Sequence, residues 1–340
     1  MIPKKVILDC DPGSDDAIAM MLAMKSDAID LIGVTTVNGN RIVPKTTENA
    51  LRVVQFMKAS VPVYRGCEEP IICNEIPGRK PGLPRVTLND CHGDFLPLPE
   101  AEIRTEKEHA VFYLVKTLME SEGDIYVAAV GPLTNLAMAL RIEPKIAGKI
   151  KQLVIMGGGH CGANASPAAE FNFYADPEAA KIVMDSAIPK VILPLDATWR
   201  ACLSEEKCKE LAQLGTPEAK VAAALVQKRI DNLKVNDVSE HNYALRHQAG
   251  TVAGAMLYRY DNHMAPIHDA LAIAYLLNEN VVTELAGANV DIDIAGGLCD
   301  GRMVADFHNT KKSKAPVTAK VALNSDAGLF TDMLFAALGK

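Results

Sequence analysis

Four carboxylates crowd one short stretch of this chain. In KKVILDCDPGSDDAIAMMLA, running from Lys4 to Ala23, residues Asp9, Asp11, Asp15 and Asp16 fall within eight positions. Like charges so close repel, and each raises its neighbours' pKa unless a positive charge sits among them. Asp at a helix start satisfies free N–H groups and complements the dipole, which accounts for one or two of the four. The remainder point to a hard cation, whose preferred ligands are oxygens. Two further stretches share the grammar. PIHDALAIAYLL sets His268 and Asp269 directly before an apolar helical run, and AEFNFYADPEAA sets Glu170 and Asn172 in a polar turn before another, with Asn164 upstream. A lone His or Asn is ordinarily a satisfied structural residue; several at equivalent loop positions form a candidate site.

Such residues need a scaffold that brings distant loops together. Short β-branched runs at Val6–Leu8, Leu31–Val37, Val61–Tyr64, Ile125–Val130, Leu153–Met156 and Val191–Leu195 read as strands. Several are apolar at consecutive positions, the mark of a strand covered on both faces. Helical patterns lie among them at Ala17–Met24, Thr46–Lys58, Glu106–Met119, Leu133–Leu140 and Pro177–Asp185. Val290–Ile294, Met303–Phe307 and Val317–Leu323 read as later strands, and Leu329–Leu338 as a closing helix. This alternation predicts an α/β fold with a central, mainly parallel sheet flanked by helices. Ligands bind such sheets outside the carboxyl ends of the strands. Asp9 closes the first strand, Asp11 enters the loop, Pro12-Gly13 turns the chain, and Asp15 and Asp16 open the next helix. Glu68–Pro99, rich in Pro and Gly, has the length of a lid or binding loop. Lys228–Pro266 holds charges, Asn and several aromatics without a clear period. No linker composition or internal repeat divides the chain, so residues 1–340 are expected to form a single domain.

Composition narrows the function. The chain has 340 residues, 49% hydrophobic and 23% charged, enough for a large core. A net charge of −7 with no basic run argues against a nucleic-acid partner. No apolar stretch reaches membrane-spanning length, and the N-terminus lacks a basic segment followed by an apolar one, so a soluble, cytoplasmic protein without a membrane partner is expected. Eight dispersed cysteines without C-x-x-C read as reduced thiols. GGGHCG (Gly157–Gly162) formally matches the dinucleotide fingerprint, but no apolar helix opens after it and Asp176 comes too soon for the ribose-binding acid. P-loop and serine-hydrolase motifs are missing from the sequence.

The order VILDCDPGSDDAIAM, TTVNGN, VGPLTNLAMAL, IMGGG, AEFNFYADPEAA and HDALAIAYLL, with a weaker match at DGRMVADF, resembles the inosine–uridine nucleoside hydrolases. The resemblance implies their Rossmann-like fold and hydrolysis of the N-ribosidic bond of ribonucleosides to ribose and free base. It implies a Ca²⁺ held by Asp11, Asp16, Asp269 and the backbone carbonyl of Val130, where many relatives have Thr. In that arrangement the ion lowers the pKa of a water, and Asp11 takes its proton. Asp15, Asn40 and Asn172 would hold the secondary hydroxyls of ribose, and Asn164 and Glu170 the 5′-hydroxyl. His268 would protonate the departing base, His92 in the CHGD turn would stand near the pocket mouth, and Asp9 would support the site by hydrogen bonding. A homodimer or homotetramer is implied as well. Trp199 stands after LDAT, where many relatives have His, and is either structural or part of the pocket. Base contacts are expected from the segment holding His241, Tyr243, His247, Tyr258 and Tyr260, and the base preference is expected to be broad or pyrimidine-leaning. The competing readings are a purine-specific hydrolase, a nucleoside-binding protein without turnover, and an Mg²⁺-dependent phosphatase using Asp9-x-Asp11.

Overall fold

The computed structural model describes residues 2–72, 75, 93–235, 263–308 and 316–340. In chain order the first part runs β1 (Lys4–Cys10), α1 (Ser14–Lys25), β2 (Ile29–Thr36), α2 (Val43–Phe56), β3 (Val63–Arg65), α3 (Ala110–Glu120), β4 (Ile125–Ala129) and α4 (Thr134–Ile142). Then come β5 (Ile150–Met156), α5 (Phe171–Ala175), α6 (Pro177–Asp185), β6 (Lys190–Leu193), α7 (Leu195–Thr198), β7 (Cys202–Ser204), α8 (Glu205–Gln213) and α9 (Pro217–Val235). The chain closes with β8 (Met264–Pro266), α10 (His268–Leu277), β9 (Val282–Ile292), β10 (Met303–Asp306), β11 (Ala319–Ser325) and α11 (Ala327–Leu338).

Nine of these strands form one sheet in the order β10-β9-β11-β6-β5-β4-β1-β2-β3. From β3 to β11 all neighbours are parallel, while β9 and β10 add an antiparallel edge. Strand β1 shows why the interior runs are continuously apolar. Val6 and Leu8 point into a core shared with α1, α2, α9, α10 and α11, and Ile7 points into a second core under α3, α4 and α6. Alternate side chains of one strand thus feed two layers, as the two-residue period demands. Helix α1 lacks an exposed stripe: every residue from Ser14 to Ala23 is buried. A helix apolar on all sides must be enclosed, and α2, α9, α10 and α11 enclose it.

The expected strands and helices are present with shifted ends. The strand expected from Val61 begins at Val63, and the helix expected from Glu106 begins at Ala110, where the His109 ring nitrogen Nδ1 caps it by accepting the Val111 N–H at 3.2 Å. Helices α8 and α9 and the small antiparallel pair β7–β8 were not expected from the sequence. No described helix is long and apolar enough to cross a membrane.

Strand β1 pairs with β2 on one side and β4 on the other, so successive units wind away from it in opposite directions. The crevice outside β1 and β4 is therefore the topological switch point, where such sheets place their ligands.

Candidate active site

The walls of that crevice begin with Asp9, the last acid within β1. Its Oδ1 accepts from Thr35 Oγ1 at 2.6 Å and from Asn135 Nδ2 at 2.7 Å, and its Oδ2 has no hydrogen-bond partner among the described residues. Burial pushes its pKa up to about 6. The Val130 N–H donates to the Asp9 carbonyl at 2.8 Å, fastening the ends of β1 and β4 together.

Asp11 follows, 1% exposed. Its Oδ2 accepts the Asn40 backbone N–H at 2.5 Å, while Asn40 Nδ2 donates to the Asp11 carbonyl at 3.2 Å and to Asp16 Oδ2 at 3.3 Å. Gly39 and Gly131 flank the Asp11 carboxylate so closely that a Cβ on either would collide with its oxygens. Asp16 closes the turn into α1 by accepting the Gly13 N–H at 2.9 Å and the Asp11 N–H at 3.2 Å.

Helix α10 packs along α1, and both begin at the crevice. Their first turns bring the carboxylates of Asp15, Asp16 and Asp269 within 4.8 Å of one another, all buried. Burial and the charges of Asp16 and Asp15 raise the Asp11 pKa well above the carboxylate range. Burial and the charges of Asp15, Asp16 and Asp11 do the same to Asp269 against the opposing pull of Arg229. Two helix N-termini offset part of this repulsion. Buried oxygen donors that converge and repel one another are a donor set that fits a divalent cation.

The far wall is built from β4, β5 and α5. Asn172 Nδ2 donates to the Val130 carbonyl at 2.8 Å and the Met156 carbonyl at 3.0 Å, tying the two strand ends. Val130 therefore already accepts one hydrogen bond, and a carbonyl oxygen has a second lone pair to offer. Glu170 caps α5, accepting from Gly158 at 2.8 Å, Asn172 at 2.9 Å and Phe173 at 3.3 Å. Burial nonetheless raises its pKa to about 7. Asn164, exposed, accepts the Phe171 N–H at 2.9 Å and so belongs to the same turn. His268, half-buried at the start of α10, places Nδ1 2.8 Å from Thr198 Oγ1.

The structure thus gathers Asp11, Asp15, Asp16, Asn40 and Asp269 at one point, and Val130, Glu170 and Asn172 along the adjoining wall. The three-carboxylate cluster includes Asp15 where the expected ligand set has Asp11. His92 lies outside the described residues, as do His241, Tyr243, His247, Tyr258 and Tyr260. Trp199 is 5% exposed, with its ring against Gly162, a core position.

Arg229 on α9 was not foreseen. Its NH1 forms an ion pair with Asp15 Oδ1 at 2.5 Å, the side chains being 10% and 7% exposed. It sits in a charged stretch, VQKRIDNLKV, where nothing local separates it from solvent-facing Lys and Gln. Asn49 also escaped notice, although it bridges two loops of the site: it donates to the Pro12 carbonyl and accepts the Leu96 N–H, both at 2.9 Å.

Known proteins agree with this architecture. The family profile described as inosine-uridine preferring nucleoside hydrolase matches residues 6–332. The chain is 35% identical over 333 residues to a pyrimidine-specific ribonucleoside hydrolase, RihB, of Escherichia coli O157:H7, covering 96% of this chain and 95% of that one. It is 36% identical over 337 residues to RihB of Escherichia coli O9:H4 (strain HS), covering 97% and 95%. A plant nucleoside hydrolase structure superposes with a TM-score of 0.82 at 26% identity, covering 99% of each chain. A purine-preferring ribonucleoside hydrolase of Gardnerella vaginalis, at 24% identity and a TM-score of 0.82 over 99% of this chain and 98% of that one, shares the fold. The six motifs, the carboxylates at the switch point and these relatives converge: the chain belongs to the inosine–uridine preferring nucleoside hydrolase family, enzymes that hydrolyse the N-glycosidic bond of nucleosides.

Proposed function

We propose that this ribonucleoside hydrolase uses Ca²⁺ and acts on nucleosides with a broad or pyrimidine-leaning base preference. The observation that carries the metal reading is the convergence of buried carboxylates at the N-termini of α1 and α10. Asp11, Asp16, Asp269 and the Val130 carbonyl would hold the ion. When bound, Ca²⁺ supplies ligand positions for the ribose hydroxyls and lowers the pKa of a water.

The chain's own residues then divide the work. Asp11, held by the Asn40 N–H, takes the proton from the attacking water. Asp15, Asn40 and Asn172 hold the secondary hydroxyls, and Glu170 and Asn164 the 5′-hydroxyl, so that the sugar is gripped as its C1′ becomes oxocarbenium-like. His268 gives its proton to the base as the C1′–N bond breaks and the bonding pair leaves with the base.

Two observations support the pyrimidine lean: the RihB relatives are described as pyrimidine-specific, and Trp199 is packed in the core rather than offered for stacking. The continuous nine-stranded sheet supports one domain over residues 1–340. The decisive experiment compares kcat/KM for uridine, cytidine, inosine and guanosine after chelation and again with Ca²⁺ or Mg²⁺ restored. Recovery with Ca²⁺ and turnover of uridine or cytidine at least equal to inosine are expected. A strong purine bias, or recovery with Mg²⁺ alone, would overturn the reading. A homodimer or homotetramer is proposed as well, and light scattering that found only a 36.5 kDa species would refute it.

A further inference from the structure

Asp15 poses a choice that the carboxylate cluster alone does not settle. Its carboxylate shares the 4.8 Å cluster with Asp16 and Asp269, and a carboxylate there can join a divalent ion's shell. Oδ1, however, is held by Arg229 NH1 at 2.5 Å, and the same guanidinium nitrogen lies 3.3 Å from Ser14 Oγ. Both partners are about nine-tenths buried, so the two charges face each other with little screening. A cation drawn against Asp15 would lie close to the guanidinium and be repelled by it. On the Asp11 side the lining is the Asn40 N–H with Gly39 and Gly131, and among the described residues no positive side chain pairs with that carboxylate.

We propose that Arg229 is a positioning residue that holds Asp15 Oδ1, keeps Asp15 out of the cation's shell and so reserves it for a substrate hydroxyl. The inference rests on the ligand set of Asp11, Asp16 and Asp269 proposed above. Arg229 touches neither substrate nor ion and acts through Asp15. The planar fork of Arg holds a carboxylate in one orientation, which a point charge on a flexible stem does less well.

The test reads cation binding and turnover separately. Wild type, Arg229→Gln, Arg229→Lys, Asp15→Asn, Asp16→Asn and the double variant D15N/R229Q are stripped with chelator and titrated with Ca²⁺ by calorimetry, and kcat and KM for uridine are measured alongside. R229Q should bind Ca²⁺ roughly tenfold more tightly, since Asp15 becomes a ligand and a repelling charge is gone. It should lose about tenfold or more in kcat/KM, since Asp15 no longer serves the sugar. Tighter cation with poorer turnover is a split that general loss of structure does not produce. R229K should fall between wild type and R229Q, and in the Asp15→Asn background R229Q should tighten Ca²⁺ binding by about threefold or less. R229Q that binds Ca²⁺ no tighter than wild type overturns the proposal. If R229Q does not fold, Asp15→Asn decides: a loss of Ca²⁺ affinity equal to that of Asp16→Asn would make Asp15 a ligand and overturn the proposal, and a loss at least tenfold smaller would support it. Calorimetry needs no turnover, so a wild type that binds Ca²⁺ yet cleaves none of the four nucleosides would sink the proposed function, while the Ca²⁺ titrations would still decide whether Arg229 keeps Asp15 out of the cation's shell.

Discussion

Two groups of buried acids stand on adjoining walls of the crevice, and they are satisfied in opposite ways. Glu170 and Asp176 are helix caps. Glu170 takes backbone N–H groups from Gly158, Asn172 and Phe173, while Asp176 takes Thr134 Oγ1 at 2.7 Å and the N–H groups of Ile71 and Ala179. Each acid is completed by the protein itself. Asp11 and Asp269 are raised by burial and by each other's neighbours, and their remedy must come as positive charge. Burial alone therefore does not distinguish an acid completed by the fold from one that calls for a cation. What distinguishes them is whether the surrounding donors close the account without a ligand.

Removing Asp11, the proposed base, is the harshest way to probe that difference. Asp11→Ala should abolish turnover beyond the ~10²–10⁴-fold expected of a general base alone, because a proposed cation ligand goes with it. Asp269→Ala should weaken Ca²⁺ binding and activity together. Near-normal kcat with full cation occupancy in Asp11→Ala would show that the two walls do not differ as described.

His268→Ala should lose about 10²–10⁴-fold in kcat on uridine and little on p-nitrophenyl riboside, whose leaving group departs as a stable anion. Parallel losses on the two substrates, with weaker Ca²⁺ binding, would instead make His268 a support for Asp269.

Stability separates the walls more gently. In cation-free protein, Glu170→Ala should cost roughly 1–3 kcal/mol, as buried N–H groups lose their acceptor. Asp11→Asn should cost nothing or stabilise by about 1 kcal/mol, since it relieves repulsion at a functional site. Urea unfolding after chelation gives both values, and equal destabilisation would erase the contrast.

The smallest effect is in pH. Glu170 and Asp176 titrate at about 7 and about 6 in the folded chain, against ordinary values of 4.5 and 3.8. Between those limits the folded state binds more protons than the unfolded one, so stability falls as pH rises through this window. Glu170→Gln should flatten the slope between roughly pH 4.5 and 7. An unchanged slope in cation-free protein would mean that Glu170 is already ionised across the window.

The carboxylates were legible in the sequence because each sits at a strand-to-loop-to-helix junction, where local pattern and fold topology agree. The same holds for Asn172, whereas Asn135, which lies within VGPLTNLAMAL and donates to Asp9, was not singled out from the sequence. Arg229 was not legible, since its partner lies on a helix far away in the chain and only packing reveals which face of α9 turns inward. The β9 and β10 runs could be placed, but an apolar strand carries no mark of its direction, so the antiparallel edge emerged only from the pairing. Trp199 illustrates a further limit: residue type admits both stacking and core roles, and the close approach of Gly162 decides for the core.

The enclosure of α1 has a consequence for how the molecule comes into being. The helix that carries Asp15 and Asp16 is covered by α10, which carries Asp269, and the two are separated by some 250 positions along the chain. Contacts of such long range are established slowly, because the loop-closure entropy must be met before they bring any return. A nascent or partly folded chain therefore presents its acids dispersed, and the carboxylate cluster comes into existence only when the first and last thirds of the chain meet. Binding of Ca²⁺ during refolding should accordingly report completion of the fold rather than its onset, with a rate no faster than the burial of α1 itself.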